Sequence, residues 1–220
     1  HFARTLRKAL ESDNGTIFRF ATHENSILNA IIKQLNESNE IDKLELISFL
    51  KTITVSTKDS VDQWEGYRCM VDLNKVVKDY YYNPYTNGSN SIKAVLPASL
   101  HSSNFLKSKY ANPIGKIRVG SKNFNKEHIW LTICNKEVVN PYKMLPSLFE
   151  NWALVDKVDN VSELDGIADG GAALTAYAKL QYEDMSMEER EEITLGLLKY
   201  CELDTLAMVM LYEHLVELTA

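Results

Sequence analysis

The sequence has no run approaching the roughly 18 consecutive apolar residues of a membrane span, and no secretory leader pattern. A soluble, cytoplasmic protein with no membrane partner is therefore expected. Cysteine is scarce. Cys69, Cys134 and Cys201 are odd in number, far apart and never in a C-x-x-C pair, which excludes a disulfide framework or zinc-ribbon spacing and suits a reducing compartment. With 9 Gly and 5 Pro, a collagenous or low-complexity chain is excluded as well. The signatures G-x-x-x-x-G-K-[ST], G-x-G-x-x-G and H-E-x-x-H are all absent. His23, His101, His128 and His214 show no metal-ligand spacing and read as surface or capping residues, although His23 adjoins a candidate acid, Glu24.

What remains is ordinary globular composition, 45% hydrophobic and 25% charged over 220 residues, enough for one well-buried core or two small ones. The chain opens at His1 inside an amphipathic pattern (Phe2, Leu6, Ala9, Leu10), so a piece of a longer protein is expected.

The net charge of −6 hides an uneven distribution. From Tyr80 to Lys126 there is no acidic residue, while Lys93, Lys107, Lys109, Lys116, Arg118, Lys122 and Lys126 all lie inside, so this segment carries +7 and the remainder −13. Aromatic and hydrogen-bonding side chains are interleaved with the cations: Tyr80, Tyr81, Tyr82, Tyr85, Asn87, Phe105, Tyr110 and Phe124. Such a surface can hold phosphates and stack on unpaired bases, which points to single-stranded nucleic acid. It can equally be a solvated loop region whose tyrosines simply pack.

Periodicity predicts helices over Phe2–Leu10, Glu24–Leu35, Ile41–Leu50 and Leu73–Tyr81, with strands at Thr16–Ala21 and Tyr67–Val71. Asn87-Gly88-Ser89 reads as a turn, and Ser91–Leu96 as a helix ended or bent by Pro97. Residues 101–168 read as an irregular insertion within one domain, with strand candidates at Lys116–Val119 and Ile129–Cys134. Helices follow at Ala172–Tyr182, Met187–Lys199 and Tyr200–Leu218, the second opened by a Ser186/Glu189 capping box. Trp64, Trp130 and Trp152 read as packing anchors, and Cys201 as a small core residue.

The chemistry-bearing candidates are acids. Tyr200 and Asp204 are four residues apart and share a helix face, which continues through Ala207, Met208 and Leu211. A carboxylate in an apolar stripe needs compensation, and a divalent cation is one means. Alternatively, Asp204 is the N-cap of a new helix. Gly196, one turn before Tyr200, leaves that face open to a neighbour or substrate. Glu24 stands at a strand's carboxyl end, where open α/β sheets build sites, or is a first-turn acid favoured by the helix dipole. Asp72 reads as a helix cap.

Tyr-x-x-x-Asp at Tyr200 and Asp204 resembles the third motif of the tyrosine-type DEDD exonucleases, and FRFATHENSIL (Phe18–Leu28) resembles their second. GSNSIKAVLPASL (Gly88–Leu100), the stretch Gly170–Val209 and MVDL (Met70–Leu73) are similar to a bacterial family catalogued as a domain of unknown function and grouped with these nucleases. The resemblance implies an α/β, RNase H-like (DnaQ-like) three-layer fold, incomplete at its N-terminus, helix-rich and carrying the 101–168 insertion. It implies a 3′→5′ exonuclease site holding two Mg²⁺ or Mn²⁺ ions, with Asp204 and Glu24 as metal ligands and Tyr200 orienting the attacking water. The nucleic-acid-binding residues would be Lys93, Lys107, Lys109, Lys116, Arg118 and Lys122. Two departures stand out. The second motif usually carries Asp where Glu24 stands, and the first motif, Asp-x-Glu, occurs nowhere in the chain. That motif and the first strands are expected upstream of His1, so the upstream part of the same protein is an implied partner and the isolated chain is expected to be inactive. An RNase H-like module that binds nucleic acid or protein without cutting, and a purely helical interaction domain, are the alternatives.

Overall fold

The computed structural model describes residues 1–135, 137–146 and 170–220, and these form two compact units, His1–Tyr82 and Asn83–Ala220. The described residues are 60% helical and 5% strand, a helix-rich α/β arrangement with little sheet. Trp152, the acidic cluster Asp156–Asp165 and the end of the expected insertion lie outside the described residues. Among the described residues no helix is long and apolar enough to cross a membrane.

In the first unit, α1 (Phe2–Leu10) and α2 (His23–Glu37) pack on α3 (Lys43–Ile53). Their shared core is Ala3, Leu28, Ile32, Leu46, Ile47, Phe49, Leu50 and Ile53. Strand β1 (Phe18–Arg19) pairs in parallel with β2 (Val71–Asp72), Phe18 opposite Val71 and Arg19 opposite Asp72. The expected strands are therefore present but shorter, two residues each. Gly66 is required by close approach, because a Cβ there would lie 2.2 Å from the Thr52 carbonyl oxygen.

Asp72 joins sheet to helix. Its Oδ1 accepts from the Asn74 and Lys75 amides, capping α4 (Leu73–Tyr80), and from the Ala21 amide at 2.9 Å just past β1. Ala21 sits at φ 71, a left-handed conformation unfavourable for a residue with a Cβ, so the bond to Asp72 holds a strained turn between β1 and α2.

In the second unit the described α-helices gather on one helix. The expected break before Tyr200 does not exist, and a single 33-residue helix, α8, runs Met187–Thr219. No proline lies within 187–219, and the buried residues Ile193, Tyr200, Leu203, Ala207, Met210 and His214 keep helical spacing across the supposed junction. The Ser186/Glu189 capping box opens it, as expected. Helices α5 (Ile92–Ser102), α6 (Asn104–Tyr110) and α7 (Gly170–Tyr182) lie against α8. Helix α5 runs through Pro97, which cannot donate to the Lys93 carbonyl but does not end the helix. The region read as irregular contains α6, and Lys116–Val119 is not a strand: Lys116 closes a 3₁₀ turn at Ile114–Lys116 and Arg118 takes φ 53. A short hairpin of β3 (Ile133–Cys134) and β4 (Glu137–Val138) follows.

The C-terminal end of α8 is fastened by acids. Glu217 accepts from the Ser103 hydroxyl and from the Phe105 amide, and contacts His214 Nδ1 at 3.3 Å. His214 is 2% exposed, so the expectation of a surface or capping histidine is corrected.

Replacing Asp72 by Ala should lower stability by about 2 kcal/mol, whereas Asp72→Asn, which retains an acceptor, should cost roughly half of that. Urea unfolding midpoints measure both, and an unchanged midpoint for D72A would remove Asp72 from this role. The Ser103 hydroxyl, with His214 and the Phe105 amide, holds the Glu217 carboxyl below its ordinary value. Its contribution is present above the unfolded pKa and lost as pH falls through the folded one, so Glu217→Gln should flatten the acid limb of the stability profile.

Candidate functional site

Tyr200 and Asp204 lie one turn apart in the middle of α8, so Asp204 is not an N-cap. Tyr200 is 6% exposed and belongs to the core of the second unit. Asp204 is half-buried between Leu203 and Leu206, both buried. Its compensation comes from the segment read as an insertion: the Tyr142 hydroxyl donates to Asp204 Oδ1 at 2.6 Å. The second carboxylate oxygen accepts no hydrogen bond among the described residues.

Tyr142 reaches that position through local chemistry. Asn140 accepts from the Tyr142 amide at 3.1 Å and Pro141 sets the first φ of a 3₁₀ turn, Pro141–Met144. The ring is 2% exposed, and its centroid is 6.2 Å from that of Tyr200. Burial, followed by the bond to Asp204, pushes the Tyr142 phenol well above its ordinary pKa, so it remains a proton donor. Lys93, from the first turn of α5, places Nζ 4.8 Å from the Tyr200 ring centroid and 5.3 Å from that of Tyr142. At the start of α7, Gly170 comes close enough that a Cβ would stand 4.0 Å from the Tyr200 hydroxyl.

The structure thus brings together Tyr200, Asp204 and Lys93 and adds Tyr142, which sequence reasoning missed. Glu24 lies in the other unit, in the first turn of α2 where the strand-then-helix pattern put it. Among the described residues its buried Oε2 has no hydrogen-bond partner, and neither does Nε of the strand residue Arg19. Thr22 precedes α2 without capping it through its side chain. Among the described residues no three His, Cys, Asp or Glu side chains come together to hold a metal ion.

The basic segment divides by role. All seven of its cations fall in the second unit, while Tyr80–Tyr82 belong to the first. Lys109 is bound to Glu213 at 2.5 Å, beside the buried Tyr110, whose hydroxyl donates to the same carboxylate. Lys107 is half-buried; Lys116, Arg118, Lys122 and Lys126 are exposed. The loop bearing Lys122 is pinned to α8 by Glu202, whose Oε2 accepts from the Lys122 and Asn123 amides and from Asn123 Nδ2. The exposed cations therefore stand on a loop region tied to the helix that carries Asp204.

Other candidates are absorbed by packing. His128 packs between Phe124 and Trp130, and burial pushes its imidazole down. His101 stacks on Tyr85 at 3.7 Å. Trp130 is buried, and Trp64 donates from Nε1 to Thr54 Oγ1 beneath Lys51. Cys201 is exposed rather than in the core, and partial desolvation with the Asp204 charge pushes its thiol up, away from a reactive thiolate. No protein-family model, curated protein or solved structure matches the chain.

Reversing Lys116, Arg118 and Lys122 to Glu together should weaken single-stranded nucleic-acid binding and flatten its salt dependence, by up to about 0.7 in log–log slope for each phosphate no longer neutralised. Fluorescence anisotropy across a salt series measures this, and unchanged affinity would make the loops structural. Lys109→Glu should instead lower the melting temperature, because it leaves Glu213 facing a like charge.

Proposed function

We propose that this chain is part of a cytoplasmic RNase H-like nuclease of the tyrosine-type DEDD class, and that the protein containing it hydrolyses nucleic-acid phosphodiester bonds with Mg²⁺ or Mn²⁺. The observation that carries this reading is Asp204, a carboxylate kept in the apolar stripe of a 33-residue helix, one turn from Tyr200. A carboxylate is a costly residue for such a stripe if packing were its only role.

Taken separately, each unit offers a donor suited to a hard divalent cation. Asp204 has one oxygen beyond its bond to Tyr142, and Glu24 has a buried oxygen without a partner among the described residues. In this reading the Asp-x-Glu acids are supplied upstream of His1. When bound, divalent ions neutralise charge developing on the phosphate and help ionise the attacking water. Tyr200 orients that water, and the exposed Lys116, Arg118 and Lys122 hold the flanking strand. The absence of an Asp-x-Glu triplet from the chain favours a second reading, a module that binds nucleic acid or a protein without cutting.

In the protein containing this chain, cleavage of end-labelled single-stranded DNA or RNA should require Mg²⁺ or Mn²⁺. Asp204→Asn should reduce the rate by at least about 100-fold and Tyr200→Phe by about 10-fold or more. Binding without metal-dependent cleavage would replace the nuclease reading by the binding module.

A further inference from the structure

We propose that the outward face of α8 is a self-association surface, on which a second copy of the protein lays its own α8 antiparallel about a two-fold axis at Thr205. The inference stands apart from the nuclease reading and uses residues that reading leaves idle.

From Thr194 to Val216, about 33 Å of helix, no exposed residue of α8 is charged. Leu195, Leu198, Val209, Tyr212 and Val216 are each 39–48% exposed, with the small, exposed Cys201 and Thr205 between them. Steps of three and four residues keep them in one row, opposite the face that buries Ile193, Leu203, Ala207 and Met210. The four charged residues of the span are turned elsewhere. Glu202 takes loop amides, Glu213 takes Lys109, Asp204 takes the Tyr142 hydroxyl, and Lys199 stands over the Phe124 ring at 5.8 Å. A surface helix carries its charges outward, whereas one that is apolar on both faces is a helix covered on both.

The row is self-complementary. Thr205 is its midpoint, and Leu198 and Tyr212 each lie seven residues from it. At the Tyr212 end, Phe105 of α6, Tyr212 and Val216, together with Glu213 and Glu217, line an apolar hollow of about 330 Å³. At the other end stand the exposed Leu195 and Leu198. Antiparallel pairing about Thr205 brings these two leucines of each copy to the hollow of the other. The contact therefore forms twice and closes as a dimer. Cys201 and Thr205, both small, let the two helices approach where they cross. With Phe105, which is 46% exposed, the apolar side chains of the row present on the order of 600 Å² per copy. A pair then buries about 1,200 Å², where specific interfaces begin.

Analytical ultracentrifugation of the protein containing this chain tests the proposal. A reversible dimer is expected at micromolar concentration, and Leu198→Glu combined with Val209→Glu should weaken it at least about 100-fold. Both positions are exposed in a single copy, so the melting temperature at a dilution where the wild type is monomeric should not change. Under mild oxidation Thr205→Cys should give a covalent dimer, located by peptide mapping, because an antiparallel crossing sets that position against itself. The wild-type Cys201 should not link to its own copy. A protein that stays monomeric up to about 100 µM overturns the proposal. If that monomer also melts lower in the double variant, the row is covered by another part of the same protein. A dimer that survives both glutamates is held by another surface, which overturns it as well. Cys201 linking to itself in the wild type would mean parallel helices and overturn the two-fold at Thr205.

Discussion

A carboxylate in an apolar helix stripe must be given a hydrogen-bond donor, and in the second unit the Tyr142 hydroxyl is that donor for Asp204. The bond explains why an otherwise irregular stretch folds back onto α8 at Pro141–Met144, where the turn contacts the helix. It also explains how Tyr200, Tyr142 and Lys93 come to share one neighbourhood, since both rings lie beneath the same ammonium. Burial of the phenol keeps its proton in place. The same helix repeats the device with different partners. Glu202 takes loop amides, Glu213 takes Lys109 and Tyr110, and Glu217 takes Ser103 and the Phe105 amide. Three acids of α8 outside its apolar stripe are thus fasteners: Glu202 ties the loop at Lys122–Asn123 to the helix, and Glu213 and Glu217 both tie α6 and its cap.

Local signals in the sequence are legible where a few neighbouring residues settle the outcome. The Ser186/Glu189 box, the Asp72 cap, the Asn87-Gly88 turn and the starts of α2 and α5 all depend on contacts within a few residues, and all occur within a residue of where expected. The junction at Tyr200 misleads because an acid following a helical run resembles a cap. What decides the matter is burial on both sides of the supposed break, with Tyr200, Leu203, Ala207 and Met210 in one core. The strand expected at Lys116–Val119 does not form for a similar reason. Its alternating pattern is real, but Ile114 and Ile117 turn inward from a 3₁₀ turn instead.

The site is only partly legible. Tyr200 and Asp204 are adjacent on a helix, so their spacing reveals them. Tyr142 lies 62 positions from Asp204 and no periodicity links the two. The Asn-Pro-Tyr triplet announces a turn, yet its other copy exposes the tyrosine, so the inward ring is a property of the packed unit. Charge misleads in a comparable way. Lys109 counts equally with Lys116 toward a basic surface, but a partner more than a hundred residues away makes it structural.

The cations behind the +7 of the Tyr80–Lys126 segment therefore have unlike settings. Lys109 is committed to Glu213, and Lys93 is drawn over the rings of Tyr142 and Tyr200. Lys116, Arg118, Lys122 and Lys126 stay exposed and contribute to a field that reaches beyond the protein, and Lys107 is half-buried. Their loops are not free to drift, since Glu202 accepts from the Lys122 and Asn123 amides and the Gly115 amide donates to the Lys126 carbonyl. A polyanion attracted to these cations would meet them at fixed positions relative to α8. That constraint fixes the loop around Lys122 relative to α8, and composition alone carries no trace of it.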